Sequence, residues 1–361
     1  MSNNNLKTAK KSKNDEFYTL MADIEKELRF YTKSFEGKVV YCNCDDYQQS
    51  NFYKYFYYNF HYLKLKKLIC TGYKADGKGL YAIYDGETEV AGKLNSDGDF
   101  RSEECIEYLK QADVVVTNPP FSLFRQYIKQ LMDYGKKFII IGNMNAITYK
   151  DIFHYIKNNQ LWMGCSLNGT KCSFGVPESY NGNNVYIDDG KRMGKVNNAC
   201  WFTNVPYVYD KKPLILTKSY YDNPSAYPKF DNFDAINVDK VADIPMDYDG
   251  IMAVPITFLN NYYPSQFEII DINPHFFSIV EQGLPKPKQL TLHNVGKKDP
   301  YARILIKKKD DLTPTPTQFE IIGLMSGAKD SSLINGNDGR AKFYINGKGV
   351  YARILIRKIR K

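Results

Sequence analysis

The tetrapeptide Asn118-Pro119-Pro120-Phe121 has residue types that suit one kind of chemistry. Each proline fixes φ at about −65° and removes a backbone donor. The Asn118 amide and the Pro119 carbonyl are then acceptors on a stiff turn. The Phe121 ring beside them is a flat apolar platform, and the set suits a planar ligand with an amino group, such as a nucleobase. A proline turn after a core strand would account for the same residues without any ligand.

An amino group on a nucleobase is a poor nucleophile, because its lone pair is delocalised into the ring. Two acceptors, the Asn118 side-chain oxygen and the Pro119 carbonyl, would favour the pyramidal form in which the lone pair is free. Phe121 would stack on the base after it is flipped out of a duplex. With a sulfonium methyl group as the electrophile, no strong base is needed before attack.

A buried strand is predicted directly ahead of this turn, because Val114–Val116 are β-branched and the prolines cannot continue the strand. A second strand is predicted at Gly37–Cys44, with Asp45 and Asp46 at its carboxyl end. A helix and another strand follow it, at Ser50–Tyr62 and Lys67–Thr71. This order predicts an α/β fold with a Rossmann-like, doubly wound sheet, in which ligands bind at the carboxyl ends of the strands. Asp45 and Asp46 therefore lie where a cofactor would bind, although Asp45 could instead cap the helix that follows.

The same alternation continues to about residue 208. A helix is predicted from Asp15, and Ser102 is predicted to cap another. The turn signal Asp85-Gly86 predicts a hairpin. The remaining predicted elements are helices at Leu123–Tyr134 and Asp151–Asn158 and strands at Lys136–Gly142 and Ala199–Val205. We assign residues 1–13 to a flexible basic tail and residues 14–208 to one domain.

Residues 209–361 are predicted to be a smaller β-rich region that contains an internal duplication. Gln266–Ile270 recurs as Gln318–Ile322, and Tyr301–Ile306 recurs identically as Tyr351–Ile356. Both segments therefore repeat about fifty residues later in the chain. The two copies occupy about 265–309 and 317–361. Each YARILI segment is predicted to be a strand with its arginine, Arg303 or Arg353, facing outward. Such a pair of units could lie along a duplex groove or be only a β-appendage with a solvated basic edge.

Composition narrows the class of protein. The formal net charge is +9, which favours a polyanionic partner. Seven cysteines without a C-x-x-C pair, and no signal peptide, predict reduced thiols in a cytoplasmic protein. Four separated histidines make a zinc site or a histidine-based triad improbable, and no metal is expected. The apolar runs are too short for a membrane span.

Longer strings around the tetrapeptide resemble a known family. GDFRS and ADVVVTNPPFSLFRQYI, with DEFYT upstream and IIIGNMNAITYKDIF downstream, are similar to EcoRI-type adenine-specific DNA methyltransferases. The resemblance implies S-adenosylmethionine as the cofactor and a flipped adenine in double-stranded DNA as the substrate. It also implies a monomeric enzyme that is paired with a cognate restriction endonuclease.

The resemblance assigns roles by position. Asn118, Pro119 and Phe121 match the catalytic motif, and Asn118 also borders the cofactor. Cofactor contacts match four groups of positions: Asp15, Phe17, Tyr18 and Thr19; Asn43, Asp45 and Asp46; Asp99 and Phe100; and Asn118. Asp99 could alternatively only shape a turn. The sequence departs from the family at the usual glycine-rich loop, which here reads Tyr41-Cys42-Asn43-Cys44-Asp45, and it has no acid directly after Thr71.

Two other functions fit parts of the sequence. N-P-P-F also occurs in methyltransferases that act on guanine-N2 of ribosomal RNA, and related tetrapeptides serve protein glutamine methylation. The missing glycines would also fit a DNA-binding protein that keeps a degenerate methyltransferase fold.

Overall fold

The computed structural model describes residues 18–75, 77–176, 184–206, 212–273, 275–283, 286 and 303–309. It also describes the backbone of four strands at 319–324, 343–345, 348–350 and 354–358. The chain forms two compact units. The first comprises Met1–Lys211, Ile256–Tyr262 and Asp271–Lys286, and the second comprises Lys212–Pro255, Tyr263–Ile270 and Pro287–Lys361.

The first unit is a mixed α/β structure with one large sheet. Its strands are β1 (Tyr18–Thr19), β2 (Val39–Asn43), β3 (Lys67–Gly72), β4 (Leu80–Tyr84), β5 (Glu89–Lys93), β6 (Val114–Thr117), β7 (Lys137–Asn143), β8 (Trp162–Gly175), β9 (Val185–Asp188) and β10 (Lys191–Thr203). Its helices are α1 (Met21–Leu28), α2 (Asn51–Tyr58), α3 (Glu103–Gln111), α4 (Phe124–Asp133), α5 (Lys150–Lys157) and α6 (Phe277–Glu281). Short 3₁₀ turns lie at Thr32–Phe35, Phe121–Leu123, Met144–Thr148 and Ile256–Asn261.

The order across the sheet is β1-β8-β10-β7-β6-β2-β3-β4-β5, and β9 also pairs with β10. The four central strands β7, β6, β2 and β3 are parallel. The pairs outside them are antiparallel. Because the central strands run the same way, β2, β3, β6 and β7 all end at one edge of the sheet, which we call the carboxyl edge.

Side chains of the central strands are buried on both faces, as expected for parallel strands covered by helices. On one face Val40 and Cys42 share a core cluster with residues of α1 and α2. The Phe52 ring of α2 meets Trp201 of β10 edge-on there, with centroids 6.0 Å apart. On the other face the Tyr41 hydroxyl lies 3.5 Å from the carbonyl of Cys105 in α3.

The predicted strands and helices between residues 37 and 158 are present, with ends shifted by a few residues. The hairpin is confirmed as β4 and β5, and Ser102 caps α3 by accepting from the Cys105 amide at 3.3 Å. The helix predicted from Asp15 begins only at Met21, because Tyr18 and Thr19 pair with β8 as a strand. The long strand β8 was not predicted.

The second unit contains a four-stranded sheet in the order β11-β12-β14-β13. These strands are β11 (Ala235–Asn237), β12 (Ile251–Pro255), β13 (Phe267–Asn273, of which the residues up to Ile270 belong to this unit) and β14 (Arg303–Lys308). Two further pairs are β15 (Phe319–Leu324) with β18 (Ile354–Lys358) and β16 (Phe343–Ile345) with β17 (Lys348–Val350). The 3₁₀ turns Pro224–Ala226 and Val241–Asp243 also belong to this unit.

The outward orientation predicted for Arg303 is wrong. Its side chain is only 16% exposed and lies 3.8 Å from Asp239, and burial lowers its pKa while Asp239 raises it. The reason is that β14 is an inner strand of its sheet and its residues Ile304–Ile306 are fully buried. Arg303, the first residue of the strand, is therefore mostly buried as well. Arg353 lies outside the described residues. None of the helices in the described part of the chain is long and apolar enough to span a membrane.

Candidate active site

Asn118 follows the last residue of β6, a strand whose four residues are all buried. Asn118 is 8% exposed and Pro119 is buried, whereas Phe121 is half-buried at the start of a 3₁₀ turn. The Leu123 amide donates to the Pro120 carbonyl at 3.0 Å and closes that turn. The tetrapeptide therefore lies at the carboxyl edge, at the end of a central strand.

Thr117 connects this strand to the end of β2. Its buried hydroxyl contacts both the Asn43 carbonyl oxygen and Asp45 Oδ2. A hydroxyl has one proton, so these two acceptors share it. The Asp45 backbone is also fixed, because its amide donates to the Thr71 carbonyl of β3 at 2.9 Å.

The other oxygen of Asp45 is held by the start of α2. Ser50 Oγ donates to Asp45 Oδ1 at 2.7 Å and accepts from the Phe52 amide at 3.1 Å. Ser50, and not Asp45, is therefore the residue that caps α2. Asp45 is left as a nearly buried carboxylate, 9% exposed, at the carboxyl edge.

Thr19 reaches the same region from the other side of α2. Its carbonyl accepts from Asn51 Nδ2 at 2.7 Å, and Asn51 is the residue after Ser50. The Thr19 hydroxyl is buried and has no hydrogen-bond partner among the residues that the structure describes. Tyr18, its neighbour in β1, pairs with Gly175 of β8.

Phe100 and Asn43 are linked through a residue of α4. The Phe100 and Tyr127 rings meet edge-on with centroids 5.0 Å apart, and the Tyr127 hydroxyl donates to Asn43 Oδ1. Burial raises the pKa of Tyr127 well above its ordinary value, so the hydroxyl keeps the proton that it donates. Phe100 thus packs against the tyrosine that holds the Asn43 side chain.

The remaining two acids are paired with cations. Asp99 is bound by Arg101, with Oδ2 2.6 Å from Nη2 and Oδ1 2.8 Å from Nε. Asp46 accepts from Lys74 Nζ at 2.8 Å, and Lys74 follows β3 closely. A cation therefore lies close to the end of β3, where the sequence has no acid directly after Thr71.

An open cavity of about 450 Å³ lies beside the tetrapeptide. Its lining residues are Phe121, Ser122, Arg125, Gln126, Lys129, Tyr149 and Asp151. The Arg125 guanidinium lies 5.4 Å from the centre of the Tyr149 ring and 2.7 Å from Asp151 Oδ2. The cavity is large enough for a small ligand, and one of its walls is the Phe121 ring.

The sequence model of the family described as adenine-specific methyltransferase EcoRI matches residues 5–309. The chain belongs to this family. Type II methyltransferase M.EcoRI of Escherichia coli is 48% identical over 325 residues, which are 84% of this chain and 96% of that protein. M.MgeORF184P of Mycoplasma genitalium is 42% identical over 311 residues, 83% of this chain and 98% of its own. M.MpnI of Mycoplasma pneumoniae is 40% identical over 313 residues, 84% of this chain and 98% of its own. No solved structure matches the chain.

The loop at the end of β2, which the family resemblance assigns to the cofactor and which we call the cofactor loop, contains no glycine. Cys44 adopts φ +72°, a left-handed conformation that glycine would take more easily. The close approach is instead supplied by Gly72 on β3, since a Cβ at that position would lie 2.9 Å from the Asp45 carbonyl oxygen. The departure from the family motif is therefore matched by a glycine on the neighbouring strand.

The structure gathers most of the predicted site residues of the methyltransferase at one edge. Hydrogen bonds of Ser50, Asn51 and Thr117 hold Asp45, Thr19 and Asn43, and Tyr127 connects Phe100 to Asn43. Asn118 directly follows Thr117 in the chain. Asp46 adjoins Asp45, and Asp99 adjoins Phe100. Asp15 and Phe17 lie outside the described residues.

Sequence reasoning missed the residues that hold the others in place. Thr117 could have been found, because it directly precedes Asn118 and ends a strand of valines. Ser50 also had a signal, as a hydroxyl at a predicted helix start. Tyr127 had none, because a tyrosine in an amphipathic helix is most simply a core residue.

Proposed function

We propose that the protein is a DNA adenine-N6 methyltransferase of a restriction-modification system that uses S-adenosylmethionine and acts on a flipped adenine in double-stranded DNA. The observation that carries the proposal is the position of Asn118-Pro119-Pro120-Phe121 at the end of a central parallel strand, where the preceding Thr117 contacts Asp45. We further propose that it acts as a cytoplasmic monomer alongside a cognate endonuclease.

The fold supports this proposal. Helices cover both faces of a sheet whose central strands are parallel, which is the arrangement of a Rossmann-like, doubly wound fold. We assign residues 14–208 to the methyltransferase domain and the duplicated β-rich region in 209–361 to DNA recognition. We assign residues 1–13 to a basic tail.

The residues at the carboxyl edge fit the proposed cofactor. The buried Thr19 hydroxyl, without a partner among the described residues, is available to a polar ligand group. The Asp45 carboxylate supplies negative charge for a cationic ligand. The cofactor site would be completed by Tyr18, Asn43, Asp46, Asp99, Phe100 and the segment around Asp15 and Phe17. S-adenosylmethionine, when bound, supplies a methyl group activated by a sulfonium.

The chain's own residues would prepare the adenine. Asn118 Oδ1 and the Pro119 carbonyl accept the two N–H bonds of the amino group and hold it in the form with a free lone pair. Phe121 stacks on the base and positions it. The amino nitrogen would form a bond to the methyl group as the bond between that group and the cofactor sulfur breaks. The two acceptors would stabilise the positive charge that develops on the nitrogen, and the proton would then be released to solvent.

The test is methyl transfer from labelled S-adenosylmethionine to duplex DNA, with ribosomal RNA and protein as competing substrates. Asn118→Ala should lower transfer to DNA by about two to three orders of magnitude, the usual effect of removing one preorganised polar contact. Cofactor affinity should change little. Asn145→Ala is the matched control, because this exposed residue lies just beyond the neighbouring strand β7. Transfer to RNA alone would refute the proposal, and DNA binding without any transfer would favour a degenerate enzyme.

A further inference from the structure

A three-stranded ribbon extends from the carboxyl edge. Strand β10 is paired on one side with β8 along almost its whole length, from Thr203 opposite Trp162 to Met193 opposite Gly175. On its other side β10 pairs with β7 only as far as Ala199, opposite the last residue of β7, Asn143. Residues 191–198 of β10 therefore lie beyond the end of β7.

Strand β9 takes the place that β7 leaves. Met193 pairs with Tyr186 of β9 and with Gly175 of β8, so β9 lies on the same side of β10 as β7 does. Val185 to Asp188 run alongside Gly194 to Lys191, which is the direction in which β7 would have continued. Strand β10 is irregular where it leaves β7, with register shifts between Val196 and Cys200 and a left-handed φ of +61° at Asn198. The ribbon formed by β8, β9 and β10 thus continues beyond the end of β7, which lies at the edge that carries Asn118.

The tip of the ribbon is exposed, whereas Met193 and Gly194 farther along β10 are buried. Asp188, Asp189 and Gly190 form the turn between β9 and β10, and all three are exposed. Ile187 next to the turn is 65% exposed, which is unusual for an isoleucine in a strand. Large apolar side chains on a surface of this kind commonly mark a site of interaction.

Two lysines on this ribbon are available to a polyanion. Lys191 and Lys195 are exposed, and neither has a carboxylate ion-pair partner among the residues that the structure describes. Lys195 Nζ lies 4.7 Å from the centre of the Tyr186 ring, and the Tyr186 hydroxyl is 2.7 Å from Ser173 Oγ. The three strands therefore hold one cation in a defined place.

We propose that the outer part of this ribbon, residues 185–195, lies in the major groove of the DNA duplex beside the flipped adenine. Lys191 and Lys195 contact phosphates, while Ile187 and the turn face the base edges. The major groove is about 12 Å wide and admits a β-ribbon. The turn carboxylates can accept from the amino group of cytosine, and Ile187 can contact the methyl group of thymine. This inference rests on the proposed function and adds a specificity element to it.

The test measures DNA binding and not turnover. A short duplex carries the sequence that the wild-type enzyme methylates, mapped first on plasmid DNA, and its dissociation constant is measured by fluorescence anisotropy at several salt concentrations. Each phosphate contact contributes about 0.9 to the slope of log affinity against log salt. The double variant Lys191→Ala/Lys195→Ala should lower that slope by about 1.8, and Lys191→Arg/Lys195→Arg should restore it.

Lys66→Ala is the matched control, because this exposed lysine lies before β3 at the opposite edge of the sheet. A slope for the alanine pair equal to that of Lys66→Ala would overturn the inference. A photo-crosslinking amino acid in place of Ile187 gives an independent reading: crosslinks within a few base pairs of the target adenine are expected, and none would contradict it. If the wild-type protein neither binds nor methylates DNA, the proposed function itself fails.

Discussion

Thr117→Val tests whether the Thr117 hydroxyl at the end of β6 stabilises the cofactor loop. Valine has nearly the shape of threonine, so the substitution removes a hydroxyl without opening a large cavity. Thr117 is fully buried, and its hydroxyl is shared between the Asn43 carbonyl and the Asp45 carboxylate. The variant leaves both acceptors without that donor.

A hydrogen bond to a charged group contributes about 1.5–3 kcal/mol, and a buried group left without its partner costs a similar amount. We therefore expect Thr117→Val to lower the free energy of unfolding by about 2 kcal/mol. Because Asp45 is held less firmly in the variant, we also expect cofactor binding to weaken by about tenfold, which corresponds to about 1.4 kcal/mol of binding free energy. Urea unfolding measures the first quantity, and calorimetric titration with S-adenosylhomocysteine measures the second.

Thr203→Val is the matched control. Thr203 is also fully buried, and its hydroxyl donates to the Phe138 carbonyl at 2.8 Å and accepts from the Val205 amide at 3.0 Å. These two hydrogen bonds of Thr203 lie at the end of β10 that is farther from the cofactor loop. The control should lose stability and keep its cofactor affinity. If both variants bind the cofactor equally well, the connection between Thr117 and Asp45 has no functional role.

Three further outcomes are expected. Ser50→Ala should cost about 1 kcal/mol of stability as a lost helix cap, and it should also weaken cofactor binding because Ser50 donates to Asp45. Ser102→Ala removes a helix cap elsewhere, so it should cost a similar amount of stability and leave cofactor binding unchanged. Equal cofactor affinities of the two variants would contradict this interpretation. Gly72→Ala should weaken cofactor binding, since its Cβ would lie 2.9 Å from the Asp45 carbonyl oxygen, whereas Gly77→Ala has nothing within 4 Å and should behave as wild type in calorimetric titration. Truncation after Lys309 should retain methyl transfer, because the family match ends there, and an inactive truncated protein would show that the second copy is needed.

The central part of the fold could be predicted because its pattern is local. Runs such as Val114–Val116 are hydrophobic at every position, as buried parallel strands require, and they end at sharp signals such as the prolines after Thr117. Since parallel strands end at one edge, Asp45 and Asn118 could be placed near each other without knowing any contact. The family resemblance then gave the two residues their expected roles.

The parts that could not be predicted depend on tertiary pairing. Strand β8 contains glycine, asparagine and serine and has no clean alternation, and it exists because β10 and β1 pair with it. The same pairing turns Tyr18 and Thr19 into a strand where acidic residues upstream suggested a helix start. Arg303 was misplaced for the same reason, because nothing in YARILI indicates that its strand lies inside a sheet.

Charge is distributed unevenly along the chain. Residues 14–285 contain 28 Lys or Arg and 34 Asp or Glu, whereas residues 286–361 contain 17 Lys or Arg and only six Asp or Glu. Acids at the carboxyl edge, such as Asp45, therefore leave the net positive charge of the chain in place. Attraction to phosphates is non-specific and depends on net charge. The ribbon at 185–195 lies within the acidic part, so its two lysines would add their phosphate contacts to the general attraction and would also fix the position of the enzyme on the duplex.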